Sequence, residues 1–150
     1  GPGGPAPLVH PPQPGCAVLT VEVVSPERVL YSGEATMVTC RTTGGGDIAF
    51  LTGHVAFIGA LATWPVKVVT DEGDVLIAVH GGFVEVSDDR VTILSDVAEL
   101  AADVDRARAE RSRDRAEAAG RDDADDEAKA ALARAEVRLQ VVDRATTPAR

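Results

Sequence analysis

The side chains that most often carry out chemistry are few and scattered in this chain. Its three histidines, His10, His54 and His80, lie far apart, and its two cysteines, Cys16 and Cys40, do not form a C-x-x-C pair. This spacing argues against a zinc site or a redox-active thiol pair. We therefore expect no bound metal, and we expect two reduced, structural thiols, as is usual in a cytosolic protein.

Two pairs of adjacent carboxylates, Asp88-Asp89 and Asp122-Asp123, are the remaining candidates for acid–base chemistry. Both stand among turn-forming residues, where aspartate usually hydrogen-bonds to the backbone. The sequence also lacks the phosphate-binding G-x-x-x-x-G-K-[ST] loop, the zinc-binding H-E-x-x-H motif and the hydrolase motif G-x-S-x-G. Because no nucleophile, base and orienting group come together, we predict a non-catalytic protein.

The charge of the chain is acidic and unevenly distributed. Its 150 residues include 24 acidic and 15 basic side chains, a formal charge of −9, which argues against a nucleic-acid partner. Residues 1–98 contain 11 acids, 4 bases and all five aromatics, whereas residues 99–150 contain 13 acids and 11 bases. No apolar run approaches the roughly 18 residues that cross a bilayer, and no secretory signal is evident, so we expect no direct membrane insertion.

The pattern along the chain predicts four segments. Residues 1–17 hold six of the nine prolines and are expected to be a disordered Pro/Gly-rich tail. Residues 18–96 alternate β-branched with polar residues between short polar turns, which predicts an antiparallel β-sandwich. The predicted strands are 18–24, 28–31, 35–42, 66–70, 75–80, 83–86 and 90–94.

The remaining segments are a helical hairpin over 97–145 and a C-terminal tail over 146–150. From Ser95 to Arg144 the chain has no proline, no aromatic residue and one glycine, Gly120, a composition typical of helix. Gly120 divides it into two helices, the second capped by an aspartate. Ala101, Val104 and Ala107 are expected on a thin apolar stripe of the first helix, so the hairpin should dock only weakly.

Three strings in this order make the chain resemble the epsilon chain of the rotary F-type ATP synthase. They are G-D-I-A-F-L-T-G-H-V-A at 46–56, G-G-F-V-E-V at 81–86 and V-T-I-L-S-D-V-A-E at 91–99. The resemblance covers about residues 18–144. It implies a rotor subunit whose sandwich binds the gamma subunit and rests on the c-ring, on the cytoplasmic face of the bacterial plasma membrane. Such a subunit couples ring rotation to ATP synthesis without catalysing a reaction itself.

The first string implies a loop that faces the c-ring and gamma. Its matching residues are Gly46, Asp47, Gly53 and His54. The alternative for His54 is that it merely caps a turn beside Gly53.

The resemblance also implies that the hairpin extends into the alpha/beta catalytic head and inhibits ATP hydrolysis. Arg108, Arg111 and Arg115 share one helical face and could meet acidic segments of that head. The alternative is a solvated face in which these arginines pair with neighbouring carboxylates at i, i+3 or i+4 spacing. The carboxylates in question are Glu110, Asp114 and Glu117.

Some family members bind ATP on the folded hairpin through an [I/L]-D-x-x-R-A signature. Asp103, Arg106 and Ala107 match it, and Arg134 and Arg138 stand where the second helix supplies arginines to the phosphates. The alternative is that these charges form ion pairs between the helices, each worth under about 1 kcal/mol. The alternative to the rotor-subunit hypothesis is accordingly that the chain is an ATP-sensing module, with regulatory ATP as its ligand.

Overall fold

The computed structural model describes residues 18–120 and 126–146, which form ten strands, a short 3₁₀ helix and two α-helices. The strands are β1 Leu19–Val24, β2 Val29–Ala35, β3 Met37–Thr42, β4 Gly46–Phe50, β5 Phe57–Ala60, β6 Thr63–Thr70, β7 Gly73–His80, β8 Phe83–Ser87, β9 Arg90–Leu94 and β10 Ala98–Leu100. The 3₁₀ helix is Ala101–Asp103, and the α-helices are α1 Arg106–Gly120 and α2 Asp126–Thr146.

The ten strands form two five-stranded sheets. The first sheet has the order β2-β1-β9-β8-β5 and the second has the order β10-β7-β6-β3-β4. All neighbours are antiparallel except β1 and β9, which run parallel. The prediction of a sandwich followed by two helices is confirmed.

The core lies between the two sheets and consists of alternate residues of their strands. In β1, Leu19, Val21 and Val23 are fully buried, while the residues between them point outward. Phe50 and Ile77 contribute two of the largest buried side chains of the second sheet. Full burial of each such side chain stabilises the fold by about 1.5–3 kcal/mol, and the period-2 pattern that predicted the strands arises from this burial.

β4 and β10 were not predicted, and β5 falls in the apolar run 55–62, whose sequence fits either a strand or a loop. β4 and β5 are edge strands of their sheets, and they are short and rich in glycine and alanine, so their sequences show little alternation. β10 exists because Ala98, Glu99 and Leu100 pair with the edge of β7, which is a tertiary contact.

The prediction that the first helix begins near residue 97 is wrong. α1 begins at Arg106, after β10 and the 3₁₀ helix. Asp105 marks its start, since the backbone N–H of Arg108 donates to Oδ1 of Asp105 at 3.1 Å, an N-cap bond. Ala101 and Val104 therefore precede the helix instead of lining its stripe.

The hairpin docks through α2. Val137 and Val141 pack against Leu76 and Ala78 on the outer face of β7, with Ala101 at the margin. α1 packs against α2, where its buried residues are Ala109 and Ala116. Of the three residues expected on the apolar stripe, Ala101 alone packs against this cluster.

Several predictions fall outside the described residues. They are the 1–17 tail with His10 and Cys16, the 121–125 turn with Asp122-Asp123, and residues 147–150 of the C-terminal tail. Neither helix in the described part of the chain combines the length and the apolar character needed to cross a bilayer.

Gly82, between β7 and β8, is a position that only glycine fits. Its φ is +116°, and a Cβ there would lie 2.1 Å from the carbonyl oxygen of Leu94. We expect Gly82→Ala to lower the free energy of unfolding by about 2–4 kcal/mol, because both strain and a backbone clash oppose the methyl group. Urea denaturation followed by circular dichroism measures the change.

Gly44→Ala is the matched control, because a Cβ at Gly44 meets nothing within 4 Å. That variant should stay within about 1 kcal/mol of the parent chain. Equal stability of the two variants would show that the chain does not approach Leu94 this closely.

Candidate functional site

The segment expected to be one loop, 46–56, is divided between two places. Gly46 and Asp47 belong to strand β4, and the loop begins only at Leu51. Because a strand rises about 3.3 Å per residue, β4 separates Gly46 from the loop by roughly 13 Å. The structure therefore does not bring Asp47 and His54 together in a single loop.

Asp47 lies on the outer face of the second sheet in an ion pair. Its Oδ1 accepts a hydrogen bond from Nε of Arg41 at 2.8 Å, and the Arg41 guanidinium lies 3.4 Å from the centre of the Trp64 ring. The hydrogen bond from Arg41 lowers the pKa of Asp47. Both partners are solvent-accessible, so the pair orients Asp47 more than it stabilises the fold.

The loop 51–56 is fastened to the β8–β9 turn. The N–H of Gly53 donates to Oδ1 of Asp89 at 2.7 Å, and Nδ1 of His54 donates to the carbonyl of Val55 at 2.7 Å. The His54 ring meets the Phe50 ring edge-on at 4.9 Å. The loop therefore presents exposed Leu51 and Val55, the latter 75% accessible, neither of which the sequence had singled out.

The turn that holds this loop contains the pair Asp88-Asp89. Both residues have positive φ, 52° and 60°, and they connect Ser87 to Arg90 in a two-residue hairpin. Aspartate tolerates this conformation, so the interpretation of this pair as turn residues is confirmed.

A row of apolar side chains crosses the outer face of the first sheet. The pairing register places Ala60 beside Phe83, Phe83 beside Leu94, and Leu94 beside Val24. Val29 of β2 is the partner of Val24 and completes the row. Phe83 is 56% and Leu94 50% accessible. We call these five residues the apolar row. The sequence signal for it is that Phe83 and Leu94 are large and apolar but occupy the outward-facing positions of their strands.

The apolar row and the 51–56 loop lie at opposite ends of the first sheet. Phe83 begins β8 and Leu94 ends β9, whereas the loop is bonded to the turn between these strands. Four residues of strand, about 13 Å, separate the two ends. The sandwich thus presents partly apolar surfaces at both ends of the first sheet, with exposed Ile58 of β5 between them.

The arginines expected to bind nucleotide are each paired with a carboxylate of the chain. Arg106 pairs with Asp143, Arg134 with Glu127 at 3.0 Å, and Arg138 with Glu99 at 2.5 Å. Ala107 is exposed. Asp103 and Arg138 do share a cavity of about 220 Å³. The other residues that line it are Glu99, Asp105, Arg108, Ala109 and Ser112.

The basic face of α1 is exposed. Arg108, Arg111 and Arg115 are accessible, and within residues 18–120 and 126–146 none of the three forms an ion pair. The carboxylates Asp114 and Glu117 instead approach Arg113. The face is thus solvated, as that alternative states, but among the described residues these three arginines do not form the pairs it expects.

Residues 18–120 and 126–146 offer little for metal or thiol chemistry. No group of three or more histidine, cysteine, aspartate or glutamate side chains is placed to hold a metal in the part of the chain that the structure describes. Burial, aided by the charge of Asp47, raises the pKa of the Cys40 thiol to about 12. Since the thiolate is the reactive form, Cys40 is a packing residue.

Among the carboxylates that the structure describes, Glu99 has the pKa that is lowered most strongly. A hydrogen bond from His80 is the largest cause, and with Arg138 it lowers the pKa of Glu99 to about 2, although burial opposes the shift. The charged carboxylate thus stabilises the fold above its ordinary pKa near 4.5, and this contribution is lost as the pH falls toward 2.

Glu99→Gln should therefore flatten the acid limb of the stability curve. We expect the parent chain to lose about 1–2 kcal/mol more than the variant between pH 5 and pH 2, a figure reduced for partial solvent screening. Urea unfolding at a series of pH values measures this difference. Glu85→Gln, an exposed change on β8, is the control and should keep the parent slope; a parent slope in Glu99→Gln itself would contradict the prediction.

Comparison with known proteins identifies the family. Residues 18–101 match the model of the ATP synthase Delta/Epsilon chain, beta-sandwich domain. The ATP synthase epsilon chain of Streptomyces griseus is 46% identical over 127 residues, which is 84% of this chain and 96% of that protein. That of Brevibacillus brevis is 50% identical over 101 residues, 66% and 75% of the two chains.

Solved structures share the fold. A chain of the cryo-EM structure of the Euglena gracilis mitochondrial ATP synthase (OSCP, F1 and c-ring) aligns with a TM-score of 0.65 at 20% identity. The alignment covers 87% of this chain and 82% of that one. The sequence matches and the sandwich-plus-hairpin architecture together show that this chain belongs to the ATP synthase epsilon chain family.

Proposed function

We propose that this chain is a non-catalytic rotor subunit in the central stalk of an F-type ATP synthase. In this role it couples c-ring rotation through gamma to ATP synthesis, and its hairpin restrains ATP hydrolysis. It would sit peripherally on the cytoplasmic face of the bacterial plasma membrane. Family membership supports the assignment, as does the likeness to chains from ATP synthase structures that include a c-ring.

The apolar row is the observation that carries this proposal. α2 packs over the outer face of the second sheet, whereas the outer face of the first sheet leaves Phe83 and Leu94 at least half accessible. A contiguous apolar patch on a folded domain typically marks a protein interface. We assign it to gamma, since the rotor role requires a lasting contact with the shaft.

The opposite end of the sandwich is assigned to the c-ring. Leu51 and Val55 are exposed there beside the charged turn Asp88-Asp89, a mixture suited to the polar loops of a ring. His54 then acts indirectly, because its contacts with Phe50 and Val55 fix the loop. Gly46 and Asp47 lie a strand away on the second sheet and are not part of this surface.

The hairpin suits a regulatory element. The buried residues of α1 are two alanines, so this helix itself loses little apolar burial when it leaves α2, and states that differ by a few kcal/mol can exchange. The exposed arginines Arg108, Arg111 and Arg115 would then be free to meet acidic segments of the alpha/beta head.

Phe83→Glu should weaken binding to gamma, because a buried carboxylate without a partner is costly in an apolar interface. We expect at least about a tenfold loss of affinity in co-purification or biolayer interferometry with purified gamma. Ser87→Glu places the same charge on the same strand and face, four residues away, and should bind like the parent. If both variants bind equally, gamma does not use the apolar row.

Removal of residues 106–150 from an assembled complex should raise ATP hydrolysis while the complex stays intact. The cut is placed after Asp105 because β10 belongs to the second sheet and must be kept. Phosphate release measures hydrolysis, and co-purification with gamma is the control for assembly. Unchanged hydrolysis in an intact complex would remove the inhibitory role.

An ATP-sensing module remains the second candidate, because Asp103 and Arg138 share one cavity. That cavity also holds Glu99 and Asp105, and Arg138 is already paired, so phosphates would have to displace a carboxylate. We therefore expect no calorimetric heat at millimolar ATP. Heat that disappears in Arg138→Gln but persists in Arg111→Gln would favour the sensing module instead.

A further inference from the structure

The junction between sandwich and hairpin contains a polar cluster built from three elements. Oε1 of Glu99, on β10, accepts a hydrogen bond from Nε2 of His80, on β7, at 3.2 Å. The same oxygen accepts a second from Nε of Arg138, on α2, at 2.5 Å. The His80 side chain is 3% accessible, and Glu99 and Arg138 are partly buried. Two donors from different elements thus converge on one oxygen.

This cluster joins the two halves of the chain. The other ion pairs among residues 18–120 and 126–146 lie within the sandwich or within the hairpin, as Arg106–Asp143 does between the helices. The Arg138–Glu99 pair crosses from α2 to a strand. Partial burial weakens solvent screening, so this pair contributes more than an exposed one.

The apolar contact beside it is small. Val137 and Val141 of α2 pack against Leu76 and Ala78 of β7, and partly buried Ala101 packs at the edge of this contact. The charged pair adds to this apolar contact a directional hydrogen bond, which is formed only when α2 lies in one position on the sandwich. His80 contributes by position, because its buried ring and its Nε2–H hold the Glu99 carboxylate where α2 presents Arg138.

We propose that Glu99, positioned by His80, receives Arg138 as a latch that holds α2 against the sandwich. The latch is made entirely by the chain, so docking of the hairpin needs no bound ligand. This inference deepens the proposed regulatory role and rests on it only for its consequence in a complex, where opening of the latch would free the hairpin. Docking itself is a property of the isolated chain.

Hydrogen exchange of the isolated full-length chain, followed by mass spectrometry, tests the latch. In Arg138→Gln and in Glu99→Gln, we expect the protected amides of α2 to exchange about tenfold faster, because local opening of the helix becomes easier. Amides of β1 and β9 should keep the parent rate, which shows that the sandwich stays folded. Arg134→Gln is the matched control, since Arg134 pairs with Glu127 within α2 and should leave the α2 rates near those of the parent.

Two further variants separate a latch from a general loss of stability. The double variant Glu99→Gln/Arg138→Gln should exchange no faster than either single variant, because both remove one interaction. His80→Leu should accelerate α2 exchange by a smaller factor, since Glu99 keeps its charge but loses its fixed position.

Three outcomes would overturn the inference. They are α2 rates in Arg138→Gln equal to those in Arg134→Gln, multiplicative effects in the double variant, or equal acceleration in β1. The measurement contains no gamma, c-ring or catalytic head. A complex whose hydrolysis ignores the hairpin would therefore refute the regulatory role and leave the latch result intact.

Discussion

The close packing of branched apolar side chains between the two sheets is the interaction on which the rest of the fold depends. Inward-facing residues such as Val21, Val68 and Ile93 lie in this layer and are inaccessible to solvent. Because strand side chains alternate with period 2, a shift of one residue in any strand would turn its core residues outward. The packing therefore fixes every register at once, including the register that aligns the apolar row.

The two outer faces of the sandwich then have different fates. The second sheet carries Leu76 and Ala78 on its outer face. Helix α2 of the same chain buries these two side chains, so no partner is needed to cover them. The first sheet keeps Phe83 and Leu94 exposed on its outer face, and nothing in the described chain covers them. This asymmetry fits the proposed role, in which the hairpin covers one face and gamma covers the other. The exposed side chains also carry a cost in solubility, which an assembled complex would remove.

The contact between hairpin and sandwich combines a small apolar patch with a partly buried ion pair. An apolar contact alone can be enlarged or reduced but has little directional preference, whereas Glu99 and Arg138 meet only when α2 lies in one position. Once α2 moves away, both charges regain water, so the opened state suffers no penalty from an unpaired buried charge. A latch of this kind favours two discrete positions over a continuum, which suits a switching element.

The sequence by itself determined the two-part architecture. Alternation in segments such as 83–86 and 90–94 predicted strands because burial imposes that period. The composition from Ser95 to Arg144, with Gly120, predicted two helices, although it placed the start of the first too early. The three strings predicted the family. Local patterns hold this information because each reflects the geometry of one element.

Only the tertiary structure decided how the functional surfaces are assembled. β10 is a strand because β7 offers it an open edge, and Asp47 lies apart from His54 because β4 pairs with β3. The apolar row exists because registers between separate strands align it, and Arg138 meets Glu99 across 39 positions of sequence. Local sequence patterns do not predict such pairings, since each depends on the position of a second element that is distant in the sequence.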